Sequence, residues 1–289
     1  MSAITAQPAC LPRGAQMRRF ARRNPTIVAG GAILTVIAAL AIAAPLFAGD
    51  AITMQPALRL RPPSQVNWFG TDHLGRDVFA RTIYGARVSL FVGISVAAMS
   101  ITCGLFIGLM AGYFRKVDAV VMRLMDGLMA IPAILLAIAL VALTRASVTA
   151  VIVAITIPEI PRVVRLVRAV VLSVREAPYV EAAVAGGTPT WKILLRHILP
   201  NTIAPLIVQA TYICASAILI EAALSFLGAG TPPEIPTWGN MIAQSRLFLS
   251  RAPWTIFCPG IALALVVLGV NLLGDGLRDR LDPRLARRM

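Results

Sequence analysis

The sequence has 289 residues, of which 58% are hydrophobic and 14% are charged, and its formal net charge is +14. A soluble domain carries about a quarter charged residues, so this composition favours an integral membrane protein over a soluble enzyme or binding domain. The basic residues flank apolar runs without interleaved aromatic residues, which indicates arginine at membrane faces and excludes an ordinary nucleic-acid-binding protein.

The first apolar run, 26–48, follows an arginine-rich tail, 1–25. A signal peptide has a similar basic start, but its apolar region covers about 7–15 residues. This run is longer, and Leu46 interrupts the small-residue pattern of a cleavage site. We therefore interpret it as an uncleaved membrane anchor preceded by a cytoplasmic tail.

Six segments are predicted to cross the membrane, because a spanning helix needs about 20 mostly apolar residues. Their predicted positions are 26–48, 88–113, 119–143, 147–168, 202–227 and 253–273. The third span requires Arg123 and Asp126 to lie at its wet end, where these residues are expected to pair on one helical face. The fourth has a short apolar part, because Glu159 and Arg162 follow almost at once.

The distribution of basic residues supports the short fourth span. With six spans and a cytoplasmic N-terminus, 19 of the 27 Lys and Arg lie inside and eight lie outside. Removing that span would export eleven of the inside residues, against the positive-inside tendency. We therefore predict an all-α polytopic protein with both termini in the cytoplasm, an external loop at 49–87 and a cytoplasmic loop at 169–201. Arg162, Arg165 and Arg168 are expected to extend to the interface.

The sequence contains no motif of a serine hydrolase, a zinc protease or a phosphate-binding loop. Its two histidines, His73 and His197, are predicted on opposite sides of the membrane and cannot share a metal ion. The four cysteines lack the spacing of a metal site. Neither catalysis nor a cofactor bound by this chain is expected, so energy for transport would come from another chain or an ion gradient.

Glu221 and Asn271 are the polar residues inside predicted spans that we consider as candidate functional residues. Glu221 is in the fifth span, where a charged carboxylate costs about 3 kcal/mol on insertion scales. It is expected either to serve a polar pathway or partner contact, or to be a protonated or hydrogen-bonded packing residue. Asn271 in the sixth span has the same two alternatives, because amide side chains often form hydrogen bonds between helices.

A charged segment with two glycines, YVEAAVAGGTPTWKILLRHILPN (179–201), precedes the fifth span. Gly186 and Gly187 permit a turn with φ > 0, and Pro189 can begin the next helix. Residues 191–199 are predicted to form a short amphipathic helix that Pro200 ends. A helix-turn-helix of this kind suits either a groove on a partner protein or the lipid surface, and the residues alone leave both open.

This segment resembles the E-A-A…G…L-P signature of permease subunits of bacterial ABC importers. In that family the segment contains a coupling helix that docks on an ATPase subunit. The resemblance implies a coupling role for Glu181, Ala182, Ala183, Gly187, Trp191, Leu195, Leu199 and Pro200.

Other stretches resemble the dipeptide, oligopeptide and nickel branch of this family, and specifically its second, C-type permease. They are WFGTDHLGRDVFARTIYGARVSL (68–90), AILIEAALSFLGAGTPPEIPTWGNM (217–241) and NLLGDGLRDRLDPRL (271–285). The first contains the family motif of the external loop, Gly70, Thr71, Asp72, Gly75, Arg76 and Asp77. GYFRKVDAVVMRLMD (112–126) is also similar, but Arg115 and Lys116 replace a frequent Gly-Gly, which puts the local turn in doubt.

The resemblance implies the ABC importer type I permease fold over residues 26–289, in the bacterial inner membrane. The implied partners are a homologous B-type permease, one or two ABC ATPase subunits that bind ATP and Mg, and an extracytoplasmic peptide-binding protein. No nucleic acid partner is expected. Di- or oligopeptides are the implied substrates, with nickel or a glutathione-like substrate as alternatives. A proton-coupled secondary transporter acting through Glu221 is the alternative of a different class.

Overall fold

The computed structural model describes residues 21–144 and 146–281, and this part of the chain folds as a bundle of α-helices. Most of the predicted tail, 1–25, and the arginines after Leu281 lie outside the described residues. The helices are α1 (Pro25–Phe47), α2 (Val78–Tyr113), α3 (Arg115–Met129), α4 (Ala133–Ala142), α5 (Val148–Arg175), α6 (Pro178–Ala185), α7 (Thr190–Ile193), α8 (Leu199–Phe226), α9 (Trp238–Ser245) and α10 (Trp254–Leu281).

Among the described helices, four are long and apolar enough to cross a membrane: α1, α2, the continuous helix Thr190–Phe226 that contains α7 and α8, and α10. A fifth is added if α3 and α4 together form one span. The predicted fourth span lies in α5, which is long enough but interrupted by charged residues. The all-α fold is confirmed, whereas the count of six spans stays a prediction.

The predicted third span is not a continuous helix. The chain bends by 87° between α3 and α4, next to Pro132. Proline lacks an N–H donor and disfavours a helical conformation in the residue before it, so a sharp break at this point has a local cause. In α3 only Met125 is buried, and this helix presents most of its surface outward.

Helix α2 begins well before the predicted start of the second span at residue 88. The Asp77 carboxylate accepts a hydrogen bond from Phe79 N at 2.9 Å and caps the helix. Arg81 and Arg87, which limit the apolar window in the sequence, donate hydrogen bonds to backbone carbonyls in the last two turns of α1 and just after it. Arg81 Nη1 donates to Ala51 O, and Arg87 Nη2 donates to Ile42 O at 2.9 Å.

The centre of the bundle is the contact between α2 and α5. Gly104, Gly108 and Gly112 follow one another at four-residue intervals on α2, and each faces a valine of α5. Those valines are Val163, Val167 and Val171, and all are fully buried. Small residues at this spacing let two helix backbones approach closely, which is how membrane helices gain packing energy.

A second cluster joins α1, α8 and α10. Gly30 of α1 lies against the backbone of α10, where a Cβ would come within 2.5 Å of Gly269 O. Trp238, at the start of α9, is fully buried and donates its Nε1–H to Thr82 O at 3.0 Å. The loops around α9 are therefore fastened to the same end of the bundle at which α2 begins.

Candidate functional site

The segment between α5 and α8 forms a helix-turn-helix at the opposite end of the bundle. Helix α6 ends in a Schellman turn, in which Thr188 N donates to Ala183 O and Gly187 N donates to Val184 O, both at 3.0 Å. Gly187 occupies the left-handed region, with φ of +74°, and no atom lies within 4 Å of the position of a Cβ. The requirement for glycine here is conformational and not steric.

Pro200 does not end a helix, contrary to the sequence prediction. The chain is helical without interruption from Thr190 to Phe226. A π-helical turn at Leu194–Ile198 precedes the proline, and Leu199 N donates to Leu194 O. A proline inside a helix removes one backbone hydrogen bond and crowds the carbonyl four residues earlier, and the wider π-helical turn gives its ring room. The segment and α8 therefore form one rod.

The apolar side chains of this segment divide into an inner and an outer set. Ile193, Leu194 and Ile198 are buried and join the core formed by α2, α5 and α8. Trp191 and Leu195, in the same short amphipathic segment, are 59% and 54% exposed. The inner set holds the segment to the bundle, and the outer set is not packed into the core formed by the described residues.

The outer surface also includes residues of α6. Tyr179 and Val184 are half exposed, and the Glu181 and Ala182 side chains are exposed beside them. Of the other residues that the sequence assigns to coupling, Gly187 and Pro200 are exposed, whereas Ala183 and Leu199 are partly buried. We call Tyr179, Val184, Trp191 and Leu195 the outer apolar patch. It lies next to a carboxylate and away from the core.

Glu221 is fully buried in the interior of the chain. Its Oε1 accepts a hydrogen bond from the Ser225 hydroxyl at 2.9 Å, and its Oε2 has no hydrogen bond to a described residue. This position favours the packing alternative, since no part of the side chain reaches the surface of this chain. Asn271 is exposed on α10 and does not contact Glu221, so the structure does not bring these two residues together.

The motif of the external loop forms a compact turn around Asp72. The Asp72 Oδ1 accepts hydrogen bonds from Leu74 N and Arg76 N, and its Oδ2 accepts from Arg76 Nε at 2.7 Å. Arg76 Nη2 then donates to the Gln244 side chain of α9. The Asp72–Arg76 ion pair is buried, and the hydrogen bond from Arg76 to Gln244 attaches the loop to the end of the bundle. The sequence motif did not indicate Gln244 as the partner.

The remaining residues of the motif support the same turn. Gly70 and Gly75 have φ of +70° and +76°, in the left-handed region that favours glycine. A Cβ on Gly75 would also overlap the Gln55 carbonyl oxygen. The Thr71 carbonyl accepts a hydrogen bond from Trp254 Nε1 at 3.3 Å, which ties the loop to α10. Burial raises the pKa of the Asp77 carboxyl, and burial likewise lowers the pKa of His73.

The predicted ion pair between Arg123 and Asp126 does not form. Asp126 instead pairs with Arg165 of α5, at 2.5 Å between Oδ1 and Nη2. One turn further along α5, Arg168 pairs with Asp118 through both carboxylate oxygens. These arginines pair with carboxylates of α3, because the bend at Pro132 lays α3 beside α5. Their extension to the membrane interface stays a prediction.

Within the described residues, no group of three or more His, Cys, Asp and Glu side chains could hold a metal ion. The polar clusters are ion pairs, helix caps and side-chain hydrogen bonds. This geometry can hold helices in register and present a docking surface.

A comparison with known families finds that residues 100–287 match the family described as the binding-protein-dependent transport system inner membrane component. The chain belongs to this family. It is 61% identical over 270 residues to the probable peptide ABC transporter permease protein y4tQ of Sinorhizobium fredii (strain NBRC 101917 / NGR234), covering 93% of each chain. It is 45% identical to the dipeptide transport system permease protein DppC of Alkalihalophilus pseudofirmus, covering 91% of this chain and 88% of that one.

The fold is also similar to a solved structure of the MetNI methionine ABC transporter in inward-facing conformations. The TM-score is 0.54 at 18% identity, and the match covers 71% of this chain and 97% of that chain. At this identity the likeness shows the fold alone. The chain is thus a multi-pass membrane component with the type I permease fold, and the expected family resemblance is confirmed.

The structure also brings together a polar cluster that the sequence did not indicate as a site, formed by Glu159 and Arg162 of α5 and Tyr212 of α8. Glu159 of α5 is almost fully buried, and Arg162 Nη1 lies 3.3 Å from both of its carboxylate oxygens. Tyr212 of α8 places its ring 5.9 Å from the Arg162 guanidinium carbon. The sequence shows Glu159 and Arg162 only as interruptions of a span. A charged pair inside an apolar helix was the available signal, and its contact with α8 required the tertiary structure.

Proposed function

We propose that this chain is the C-type permease subunit of an ATP-driven, binding-protein-dependent importer of di- and oligopeptides. It would form half of the translocation pore with a homologous B-type permease, and ABC ATPase subunits would supply the energy. The observation that carries the proposal is the outer apolar patch on a segment continuous with α8. Relatives named as peptide and dipeptide permeases support the substrate class.

The patch has the properties of a docking surface for an ATPase subunit. Exposed apolar residues in a cluster mark interaction sites, and two of the four are aromatic residues of the kind enriched at the centre of interfaces. Glu181 at its edge can accept charge-assisted hydrogen bonds from an arginine of the partner. Because the buried inner set holds the segment to α5 and α8, movement of the docked subunit would be transmitted to those helices.

The outer patch can be tested with substitutions that leave the fold intact. Trp191→Ser and Leu195→Ser remove exposed apolar side chains, so the chain should still insert and assemble with the second permease. ATP hydrolysis stimulated by substrate-loaded binding protein should fall several-fold in the reconstituted complex, and peptide uptake should fall with it. Full stimulation in the double variant would contradict the docking role and favour a surface that lies on lipid.

The turn between α6 and α7 offers a matched pair of glycines. Gly187→Val must place a β-branched residue in the left-handed region, at a cost of about 1–2 kcal/mol, whereas Gly186 has an ordinary φ of −75°. We expect Gly187→Val to loosen ATPase binding and Gly186→Ala to be mild. A cysteine at Thr190 should crosslink to an ATPase subunit in the assembled complex. Absence of that crosslink, together with normal hydrolysis in Gly187→Val, would refute the assignment.

The orientation is proposed from the distribution of basic residues and places both termini in the cytoplasm. Single cysteines in a cysteine-free background report it through labelling with an impermeant maleimide from outside. Cysteines at Ser64 and Pro233 should react, and a cysteine at Thr188 should not. Labelling of Thr188 from outside would reverse the topology and place the outer apolar patch on the wrong side for an ATPase.

Dependence on ATP separates the proposed importer from a proton-coupled transporter. Uptake by the reconstituted complex should stop when ATP hydrolysis is blocked and should survive collapse of the proton gradient. The opposite pattern would support transport coupled through Glu221, although that side chain has no exposed surface in this chain.

A further inference from the structure

Four polar side chains meet where α5 and α8 cross. Arg162 donates to the Glu159 carboxylate on its own helix, and the Tyr212 ring lies beside the guanidinium group. The Ser216 side chain, one turn after Tyr212, lies close to Glu159. We call Glu159, Arg162, Tyr212 and Ser216 the α5–α8 polar cluster.

The depth of this cluster follows from the length of α8. Helix α8 has 28 residues, and Tyr212 lies near its middle. At 1.5 Å per residue, Tyr212 is about 20 Å from either end of the helix. The hydrocarbon core of a bilayer is about 30 Å thick, so a residue at this height lies deep inside it rather than at an interface.

The cluster is also open to the outside of the chain. The Arg162 side chain is 40% exposed and Tyr212 is 53% exposed, whereas Glu159 behind them is 1% exposed. The Nε and Nη2 groups of Arg162 make no hydrogen bond to any described residue. An arginine carries five N–H donors, so Arg162 retains most of its capacity to bind an acceptor.

An exposed guanidinium at this depth would be costly against lipid. Ionisable residues in membrane spans face a bundle interior or a water-filled cavity, where they mark pathways for ions and substrates. Arg165 and Arg168, further along α5, pair with carboxylates of the neighbouring helix α3, whereas the partner of Arg162 is on its own helix and contacts Nη1 alone. The surface on which Arg162 and Tyr212 lie must therefore face a polar environment in the assembled transporter.

We propose that Arg162 and Tyr212 line the translocation pathway and that Arg162 contacts the terminal carboxylate of the passing peptide. Glu159 and Ser216 act as positioning residues that hold the guanidinium toward the pathway. This inference rests on the proposed function as a peptide importer, and it adds a contact with the substrate within the membrane.

The chemistry of the cluster fits this ligand. A guanidinium presents paired donors that match the two oxygens of a carboxylate, and every unmodified peptide carries one at its C-terminus whatever its side chains. The negative charge of Glu159 offsets that of Arg162, so the contact would be weak. A site on a conduction path must be weak enough to release its substrate as well as favourable enough to admit it.

The first experiment compares one tripeptide with a free C-terminus and the same tripeptide as its C-terminal amide. Uptake of each is measured in proteoliposomes that contain the whole complex, with the binding protein saturated by each peptide according to its separately measured affinity. Desolvated hydrogen bonds to charged groups are stronger than those between neutral groups, and partial exposure reduces their strength. We therefore expect Arg162→Gln to lower the ratio of free-acid to amide uptake about tenfold.

Two variants on the same helix serve as controls. Arg162→Lys keeps the charge and should retain more of the free-acid preference than Arg162→Gln. Arg165→Gln removes the same type of side chain one turn away, from a position already paired with Asp126, and should leave the ratio unchanged. An unchanged ratio in Arg162→Gln, or an equal fall in Arg165→Gln, would overturn the proposal.

A second measurement does not depend on the stability of the Arg162 variant. Tyr212→Cys, in a background without the native cysteines, should react with a water-soluble anionic methanethiosulfonate in at least one nucleotide state. The free-acid peptide should slow the reaction more than the amide does. No reaction in any nucleotide state would show that this surface contacts lipid or the second permease. If the unaltered complex imports neither peptide, the proposed function itself has failed.

Discussion

Replacing Gly108 of α2 tests whether the close contact between α2 and α5 holds the bundle together. A Cβ at this position would lie 2.7 Å from Val167 Cβ and 3.0 Å from the Val164 carbonyl oxygen. Carbon atoms in favourable contact are about 3.5–4.0 Å apart, so the added methyl group is too close by about 1 Å. Neither neighbour can turn aside, because one is a backbone atom and the other is fixed to the backbone.

The expected cost follows from this overlap. Methyl groups inserted into a well-packed core destabilise by about 1–3 kcal/mol. A value of about 2 kcal/mol for Gly108→Ala changes the ratio of folded to unfolded chains about 30-fold, and Gly108→Val should cost more. In Gly108→Ala, a second change of Val167→Ala should recover little, because it keeps the Cβ that makes the contact. Val167→Gly removes that Cβ and should recover more of the lost stability, although glycine inside a helix itself costs about 1 kcal/mol.

Thermal stability of the detergent-solubilised complex measures this effect. The complex is heated, and the fraction that remains monodisperse by size-exclusion chromatography gives an apparent Tm. Gly260→Ala in α10 is the control, because no atom lies within 4 Å of its Cβ position. The apparent Tm should fall by several degrees for Gly108→Ala and change little for Gly260→Ala. An unchanged Tm in Gly108→Val would refute the close packing of α2 on α5.

Substitutions at three further positions have distinct expected outcomes. Gly75→Ala should disorder the external loop, because the new Cβ overlaps the Gln55 carbonyl; limited proteolysis from outside should cut the variant faster than the unaltered chain. Asp77→Asn should keep the helix cap and Asp77→Ala should lose about 1 kcal/mol of it, as measured by apparent Tm. Burial raises the pKa of Asp77, so ionisation of this carboxyl lowers the stability of the folded chain as pH rises through that pKa. Asp77→Asn cannot ionise. It should therefore be more stable than the unaltered chain only at the higher pH, and equally stable in acid. If the Glu221 carboxylate serves packing through Ser225, Glu221→Gln should retain uptake and Glu221→Ala should lower the amount of assembled complex. Normal assembly with lost uptake in Glu221→Ala would instead support a pathway role.

Features that depend on local sequence could be predicted. The long apolar helices follow from composition, and the turn at Gly187 follows from paired glycines between helix-forming stretches and a following proline. The prediction at Pro200 is wrong for an equally local reason. A proline inside a helix does not always end it, and here the π-helical turn before Pro200 lets the helix continue through it.

Features that depend on distant residues could not be predicted. Arg76 binds Gln244, which is 168 positions away in the chain. Asp126 pairs with Arg165 of another helix and not with its neighbour Arg123. The separation of Leu195 from Leu194 into exposed and buried sets also depends on where α5 lies. A helical pattern identifies an apolar face, but it does not identify which part of that face the rest of the fold covers.

The unbroken helix from Thr190 to Phe226 has a mechanical consequence. Its 37 residues span about 55 Å, so a tilt of about 10° around one end displaces the other end by roughly 10 Å. A flexible linker between the outer apolar patch and the membrane would absorb such a rotation, whereas a stiff helix transmits it along its length. The π-helical turn at Leu194–Ile198 interrupts the regular α-helical hydrogen bonding, so it is where this helix would bend if the proposed ATPase subunit moved the outer apolar patch. The stiffness of these five residues would then determine how much of that movement reaches the far side of the membrane.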